Sequence, residues 1–213
     1  MEATGAVKCF GYNNNGELGA GDTSTRNPFA GGSNVVTVNF GGDKTATDLV
    51  VLGHVTCALL NDDTVQCWGH SGSFAHTSPV AIDFGGPVSR LMGSGSHPST
   101  YATSTLFVFM QDGTIKCWGY NNQGQLGLGD KTAHDPFVVF TFPLTQEYVQ
   151  DIWFSGEQST CATFTNGNAG CWGSNSDGRL GRTDANGNGD TATAEVLSIG
   201  NIMYVHYSPV VRN

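Results

Sequence analysis

Apolar positions along the chain fall in short runs separated by clusters of Gly, Asn, Asp and Ser, and none recurs at the three-to-four spacing of a helix. One run returns four times. Val65-Gln-Cys-Trp-Gly69 is matched by Val7-Lys-Cys-Phe-Gly11, Ile115-Lys-Cys-Trp-Gly119 and Ala169-Gly-Cys-Trp-Gly173, and the aligned cysteines Cys9, Cys67, Cys117 and Cys171 are separated by 58, 50 and 54 residues. Repeats of that length are propeller blades or solenoid units.

Three further segments repeat in register with this one. An apolar pair three apart, followed by Gly four later, occurs as Ala46, Leu49, Gly53, as Val88, Leu91, Gly95 and as Val149, Ile152, Gly156. Ahead of it lies an apolar segment that often follows Pro, as in Pro79 to Phe84 and Pro136 to Phe142. Behind it come Cys57-Ala-Leu-Leu60, Leu106 to Met110 and Cys161-Ala-Thr-Phe164. Each of these joins its Cys-Trp-Gly segment through Asn-Asp-Asp, Gln-Asp-Gly or Thr-Asn-Gly, which are hairpin turn signals. Four short strands per repeat predict an all-β fold, a β-propeller of about four blades of four antiparallel strands. The repeat boundaries fall near residues 24, 75, 134 and 194.

After three of the Cys-aromatic-Gly segments comes a polar loop with one apolar residue. Tyr12 to Asp22 and Tyr120 to Asp130 are nearly identical, Ser174 to Asp184 is a third version, and His70-Ser-Gly-Ser-Phe74 has lost the loop. Asn and Gly supply positive φ angles, and Leu18, Leu126 and Leu180 are the pegs expected to anchor each loop to a blade.

Cys-Ala-Leu-Leu, an acidic or amide turn, Val-x-Cys-Trp-Gly and then Asn-x-x-Gly-Gln-Leu-Gly-x-Gly-Asp together resemble the repeats of the RCC1 (regulator of chromosome condensation) superfamily, in the cysteine-bearing form of bacterial and secreted proteins. The resemblance covers nearly the whole chain. It implies a propeller, typically of seven blades, and a role that ranges across the family from nucleotide exchange on a small GTPase to light sensing and enzyme inhibition, so it selects no single activity. Four copies leave two arrangements open. One is a small closed ring, in which strands from Glu195 onward and the Val7–Gly11 strand complete one blade. The other is a segment or half of a larger propeller, completed by further sequence or a second copy.

Charge narrows the partners. Nine Lys and Arg against 18 Asp and Glu give a net charge of -9, which repels polyanions and offers no basic stripe, so nucleic acid is excluded as an expected partner. No apolar run approaches the roughly 20 residues that span a bilayer, so membrane insertion is not expected.

Candidate chemistry is sparse. Cys57 and Cys67 stand symmetrically about one hairpin turn, as do Cys161 and Cys171, and residues so placed face each other at disulfide distance. Two bridges are expected, with Cys9 and Cys117 left as thiols, and bridges imply an oxidising compartment, hence an extracellular or cell-surface location. The stretch Asp184-Ala-Asn-Gly-Asn-Gly-Asp190, followed by Glu195, has the spacing of a calcium loop. Asp184, Asn186, Asn188, Asp190 and Glu195 are its candidate ligands, and a plain polar loop is the alternative. The histidines are scattered and no nucleophile motif appears, so no catalytic residue is assigned and no enzyme is expected. Trp68, Trp118 and Trp172, with Phe10 in the same place, read as blade packing. The expected function is a non-catalytic extracellular module that binds a protein partner, or copies of itself, through loops at one propeller face. Alternatives are a structural subunit of a fibre or surface layer, and a carbohydrate-binding module using Tyr12, Tyr120, Asn121 and Asn122.

Overall fold

The computed structural model describes residues 5–29, 34–95, 104–132, 140–141, 148–154, 158–175, 178, 180 and 195–197. All regular structure among them is β. Strands β1 (Lys8–Cys9) and β2 (Val36–Thr37) form a two-stranded antiparallel sheet. Strands β3 (Ala46–Leu52), β4 (Val55–Leu60), β5 (Val65–Ser71) and β6 (Phe74–Ile82) form a four-stranded sheet in chain order. Two more such sheets follow: β7 (Val88–Ser94), β8 (Thr105–Met110), β9 (Ile115–Gly119) and β10 (Phe140–Thr141), then β11 (Val149–Phe154), β12 (Ser159–Phe164), β13 (Ala169–Gly173) and β14 (Glu195–Leu197). These are blades 1 to 4, the first represented by two strands.

The sequence repeat and the blade are out of phase by one strand. The apolar segment that opens each repeat hydrogen-bonds backwards, to the Cys-Trp-Gly strand before it: β2 pairs β1, β6 pairs β5, β10 pairs β9 and β14 pairs β13. Glu195–Leu197 therefore closes blade 4 instead of opening a fifth repeat. The boundaries near 75 and 134 fall within blades 2 and 3.

The three-residue apolar spacing also finds its cause. In a regular strand, residues three apart lie on opposite faces. Here the ladder shifts by one residue between Ala46 and Asp48, between Val88 and Arg90, and between Val149 and Asp151. Each shift is a β-bulge whose extra residue returns Leu49, Leu91 or Ile152 to the face of its partner. The hydroxyls of two bulge residues bond across the gap, Thr47 Oγ1 to Leu59 O at 3.3 Å and Ser89 Oγ to Phe109 O at 2.9 Å.

The hairpins between the second and third strands share one geometry. Asp63 N donates to Leu60 O at 3.0 Å, and Leu60 N to Thr64 O at 2.9 Å, so a four-residue turn ends in a left-handed residue. Asp63 takes φ 62°, where the sister hairpins place Gly113 and Gly167.

Glycine is required at the end of the Cys-Trp-Gly motif. Gly69, Gly119 and Gly173 have φ of 104°, 119° and 99°, and a Cβ there would lie 1.9, 2.0 and 2.3 Å from the carbonyl oxygens of His54, Ser104 and Gln158. Those same carbonyls accept the next residue's N–H, from His70, Tyr120 and Ser174.

The core lies between blades. Val7, Val38 and Phe40 of blade 1 pack on Ala46, Leu60 and Trp68 of blade 2. Val55, Cys57 and Val65 of blade 2 pack on Leu106, Val108 and Trp118 of blade 3. Phe107, Ile115 and Cys117 of blade 3 pack on Ile152, Ala162 and Trp172 of blade 4. The cysteine-bearing face of one blade thus meets the tryptophan-bearing face of the next. Inner strands are tied as well: Asp48 Oδ2 accepts Leu91 N at 3.2 Å, and Arg90 Nη1 bonds Asp151 Oδ1 at 3.2 Å.

Cys57 and Cys67 are directly opposite in the ladder and bridged, with Cα atoms 4.1 Å apart, and Cys161 and Cys171 are bridged at 4.0 Å. Cys117 faces Phe107 instead and is a buried free thiol, its pKa pushed up by burial. Cys9 is also free and half-buried, and burial raises its pKa too.

Candidate functional site: the loop face

Each loop after a Cys-aromatic-Gly strand is built around one asparagine. Asn13 Oδ1 accepts Leu18 N at 2.8 Å while Asn13 Nδ2 donates to Asp22 O at 2.9 Å, so one amide fixes both the peg and the far end of the loop. Asn121 does the same with Leu126 N at 2.9 Å and Asp130 O at 3.1 Å, and Asn175 Oδ1 accepts Leu180 N at 3.0 Å. Backbone turns run beneath, from Gly16 N to Asn13 O and from Gly19 N to Gly16 O, repeated at Gly124 and Gly127. The pegs Leu18, Leu126 and Leu180 are buried.

These loops are clasps across blade junctions. Trp68 Nε1 of blade 2 donates to Glu17 O at 2.8 Å, and Trp172 Nε1 of blade 4 donates to Gln125 O at 3.0 Å, where Thr160 Oγ1 joins it at 2.8 Å. A further bond runs from Gly21 N to Thr77 O at 2.8 Å. Gly16 touches Thr77 so closely that a Cβ there would collide, at 2.8 Å, and a Cβ on Gly19 would press on the Trp68 ring at 3.0 Å.

The first clasp carries an additional side-chain contact. Glu17 Oε1 lies 2.6 Å from His54 Nδ1, and Asn15 supplies its Nδ2 to Oε1 at 3.0 Å and its backbone N–H to Oε2 at 2.9 Å. Burial pushes the Glu17 carboxyl up, but the bonds from His54 and Asn15 outweigh it and its pKa is lowered. In the third loop Gln125 stands at this position and its Oε1 accepts Gln123 N at 3.0 Å. Glu17 and Gln125 align in sister loops, which is the one sequence signal for this position; nothing in the sequence points to His54.

The residues expected to bind ligand separate into two kinds. Asn121 is fully buried with both ends of its amide engaged inside its loop, so it serves the loop and is corrected from a contact residue to a framework one. Tyr12 is half exposed and lies against His54, whereas Tyr120 and Asn122 are partly buried and Asn122 Nδ2 bonds the Tyr120 hydroxyl. Asn122 Oδ1 is buried with no partner among the described residues. The calcium-loop residues Asp184, Asn186, Asn188 and Asp190 lie outside the described residues, and of Glu195 only the strand assignment is described. Among the described residues no group of three or more His, Cys, Asp and Glu is placed to hold a metal. No helix among them is long and apolar enough to cross a membrane.

One further side chain lies in the connection between β1 and β2. Phe29 opens the inserted stretch before β2 and is 93% exposed, on a turn held by Asn27 Oδ1 accepting Phe29 N at 2.9 Å. Its neighbourhood is braced by Arg26, paired with Asp22 at 2.6 Å. That guanidinium keeps the exposed Asp22 carboxyl below the usual carboxylate range.

Comparison with known proteins bears on this arrangement. No family model matches the chain. Over 74 residues, 35% of this chain and 7% of the relative, it is 32% identical to the X-linked retinitis pigmentosa GTPase regulator of Homo sapiens. Over 94% of its length it superposes on yeast RCC1 (Prp20), solved with Kap60, at a TM-score of 0.69 and 19% identity, covering 47% of that chain. Human WBSCR16 matches 93% of the chain at a TM-score of 0.68 and 20% identity, with 50% of that chain covered. A study of Prp20p from Saccharomyces cerevisiae, TM-score 0.69, concerns its binding to Gsp1p and histones. The chain spans about half the length of these solved structures and a small part of the curated relative.

Proposed function

We propose that this chain, a set of RCC1-type repeats folded as blades of a β-propeller, is a non-catalytic protein-binding module whose contact surface is the loop face bearing Phe29 and Tyr12. The observation that carries the proposal is Phe29: a large aromatic 93% exposed on a turn braced by Asn27, Asp22 and Arg26. Aromatic anchors that pass from water into a partner's pocket dominate interface energies, and a braced turn loses little freedom on binding. Prp20p is described as binding Gsp1p and histones, which shows a propeller of this fold serving as a docking surface. The net charge of -9 favours a partner with a basic or neutral surface and disfavours nucleic acid.

Two bridged hairpins support an oxidising location, extracellular or at the cell surface. The test is cross-linking mass spectrometry after incubation of the disulfide-intact protein with an extracellular protein fraction, followed by binding measurements on the captured partner. Phe29→Ala is expected to weaken that complex at least tenfold, about 1.4 kcal/mol, and Tyr12→Ala to a smaller degree. Equal affinity for both variants, or a salt-sensitive complex with DNA or RNA in place of a protein, removes the reading.

A further inference from the structure

Hairpins of one geometry join the second and third strands of blades 2, 3 and 4, and they differ at one chemically telling position. Before the left-handed residue stand Asp62, Asp112 and Asn166, all exposed. Each offers its Oδ1 to the N–H two residues on, that of Thr64 at 3.3 Å, Thr114 at 2.8 Å and Asn168 at 3.0 Å. The turn therefore asks for an acceptor oxygen, which a carboxylate and an amide supply alike. Bonds from Thr114 hold the Asp112 carboxyl below the usual carboxylate range, so a charged form fits the turn well. Of the three hairpins, the one in blade 4 alone joins an amide to a glycine. Gly167 has φ 83°, is exposed, and a Cβ there would meet nothing within 4 Å. A glycine nitrogen reaches the amide carbon of a preceding asparagine more easily than any other, because no side chain stands in the way.

We propose that Asn166 is a site of spontaneous deamidation in the folded protein, and that the aspartate it yields gives blade 4 the hairpin residue that blades 2 and 3 already carry. The nitrogen of Gly167 gives up its proton to hydroxide and bonds to Asn166 Cγ, closing a five-membered imide as the Cγ–Nδ2 bond breaks and ammonia leaves. Water then adds at Cγ and breaks the new N–Cγ bond, which restores the main chain and leaves a carboxylate. Water enters, ammonia departs, and nothing is oxidised or reduced. The Asn168 N–H already on Oδ1 faces the negative charge that grows there as the ring closes. Gly167 N must first release Phe164 O, which it bonds at 2.9 Å, but Phe164 N can stay on Asn168 O at 2.8 Å, so only the tip of the hairpin opens.

The chain holds its own control. Asn15-Gly16 is the same dipeptide inside the first clasp, where Gly16 is buried against Thr77 of the next blade and bonds Asn13 O at 3.0 Å. The Asn15 amide is held by Glu17 Oε1 at 3.0 Å, and its backbone N–H by Glu17 Oε2 at 2.9 Å. Closing the imide there requires the clasp to come off blade 2. Opening a hairpin tip costs far less than separating packed blades.

The test is to incubate the disulfide-intact protein in heavy-oxygen water at mildly alkaline pH and follow label in each asparagine by fragment-ion peptide mapping, beside a reduced, alkylated and urea-unfolded sample. Label should enter Asn166 roughly tenfold faster than Asn15 in the folded chain, and at similar rates in the unfolded one. Mapping assigns Asn186-Gly187 and Asn188-Gly189, outside the described residues, separately. Asn166→Asp should unfold at the parent's urea midpoint, whereas Asn166→Ala, which lacks the acceptor, should unfold earlier. An Asn166 that stays unlabelled while the unfolded chain converts, equal rates at the two sites in the folded chain, or an Asn166→Asp as unstable as Asn166→Ala overturns the proposal. The loop-face reading is independent of all three and is reported by the Phe29 variant.

Discussion

The junction between blades 3 and 4 and the junction between blades 2 and 3 differ in one feature of sequence and several of structure. At the first, a loop of eleven residues, Tyr120 to Asp130, leaves the Cys-Trp-Gly strand and offers Gln125 O to the indole of Trp172. At the second, His70-Ser-Gly-Ser-Phe74 turns back at once, and β5 and β6 run on as one long hairpin. The consequence falls on the next blade. Trp118 is 3% exposed, but its Nε1 has no acceptor among the described residues, and Thr105 Oγ1, on the paired strand β8, is in the same state. Ser104 Oγ, bonded to Leu52 O at 2.6 Å, ties that junction instead. The loops are therefore structural clasps first: where one is missing, the blade that would receive it has a buried indole N–H with no acceptor among the described residues.

The largest expected effect sharpens this comparison at the glycine that ends each motif. Gly119→Ala forces a Cβ to 2.0 Å from Ser104 O at φ 119°, and should cost about 3 kcal/mol or more by chemical denaturation. Gly11→Ala has the same backbone but open space, and should cost about 1 kcal/mol. Equal losses would show that backbone conformation alone, and not the carbonyl of the preceding strand, makes the glycine necessary.

Next comes the bridge. Selective reduction of Cys57–Cys67, or its replacement by paired alanines, should cost about 2.5 kcal/mol, the loop entropy of a ten-residue separation. In blade 3 the same register holds Phe107 against Cys117, so Cys117→Ala should cost only about 1 kcal/mol of packing. A Cys117 substitution as damaging as loss of the bridge would mean that the aromatic pairing does the bridge's work.

The clasp itself is tested at tryptophan. Trp172→Phe removes a donor from Gln125 O and should cost about 1 kcal/mol more than Trp118→Phe, which removes an indole N–H with no described acceptor. Equal costs would place an acceptor for Trp118 outside the described residues.

Much of the fold was legible because it is periodic. Four copies of one strand, the turn residues between strands and the symmetric cysteines each repeat, and a repeated signal can be read against itself. The phase of the blades was not legible. A segment such as Pro79 to Phe84 can pair with the strand before or after it, and only the short connection from β5 decides for the former. The site was harder still. Asn121 looked like a ligand-binding amide because its neighbours are polar, yet local hydrogen bonds consume it. The exposure of Phe29 is not written in the repeat, since exposure of an aromatic depends on what lies opposite it.

The smallest expected effect separates the first clasp from the third, where a carboxylate and an amide occupy one position. Glu17 is bonded to His54 and to Asn15, and its pKa lies below the ordinary value, so the folded state holds the charged form more tightly than the unfolded chain does. Its contribution is therefore complete above the unfolded pKa, roughly 4.3, and is lost as pH falls through the lower folded value. Glu17→Gln installs the residue that Gln125 presents in the sister loop, keeping an acceptor for Asn15 N while removing the charge facing His54. Stability curves for parent and variant, followed by urea unfolding at successive pH values, should converge as the medium becomes acidic enough to protonate Glu17. Above that range the parent should be the more stable. A constant offset across the whole range would assign the Glu17 contact to hydrogen bonding alone.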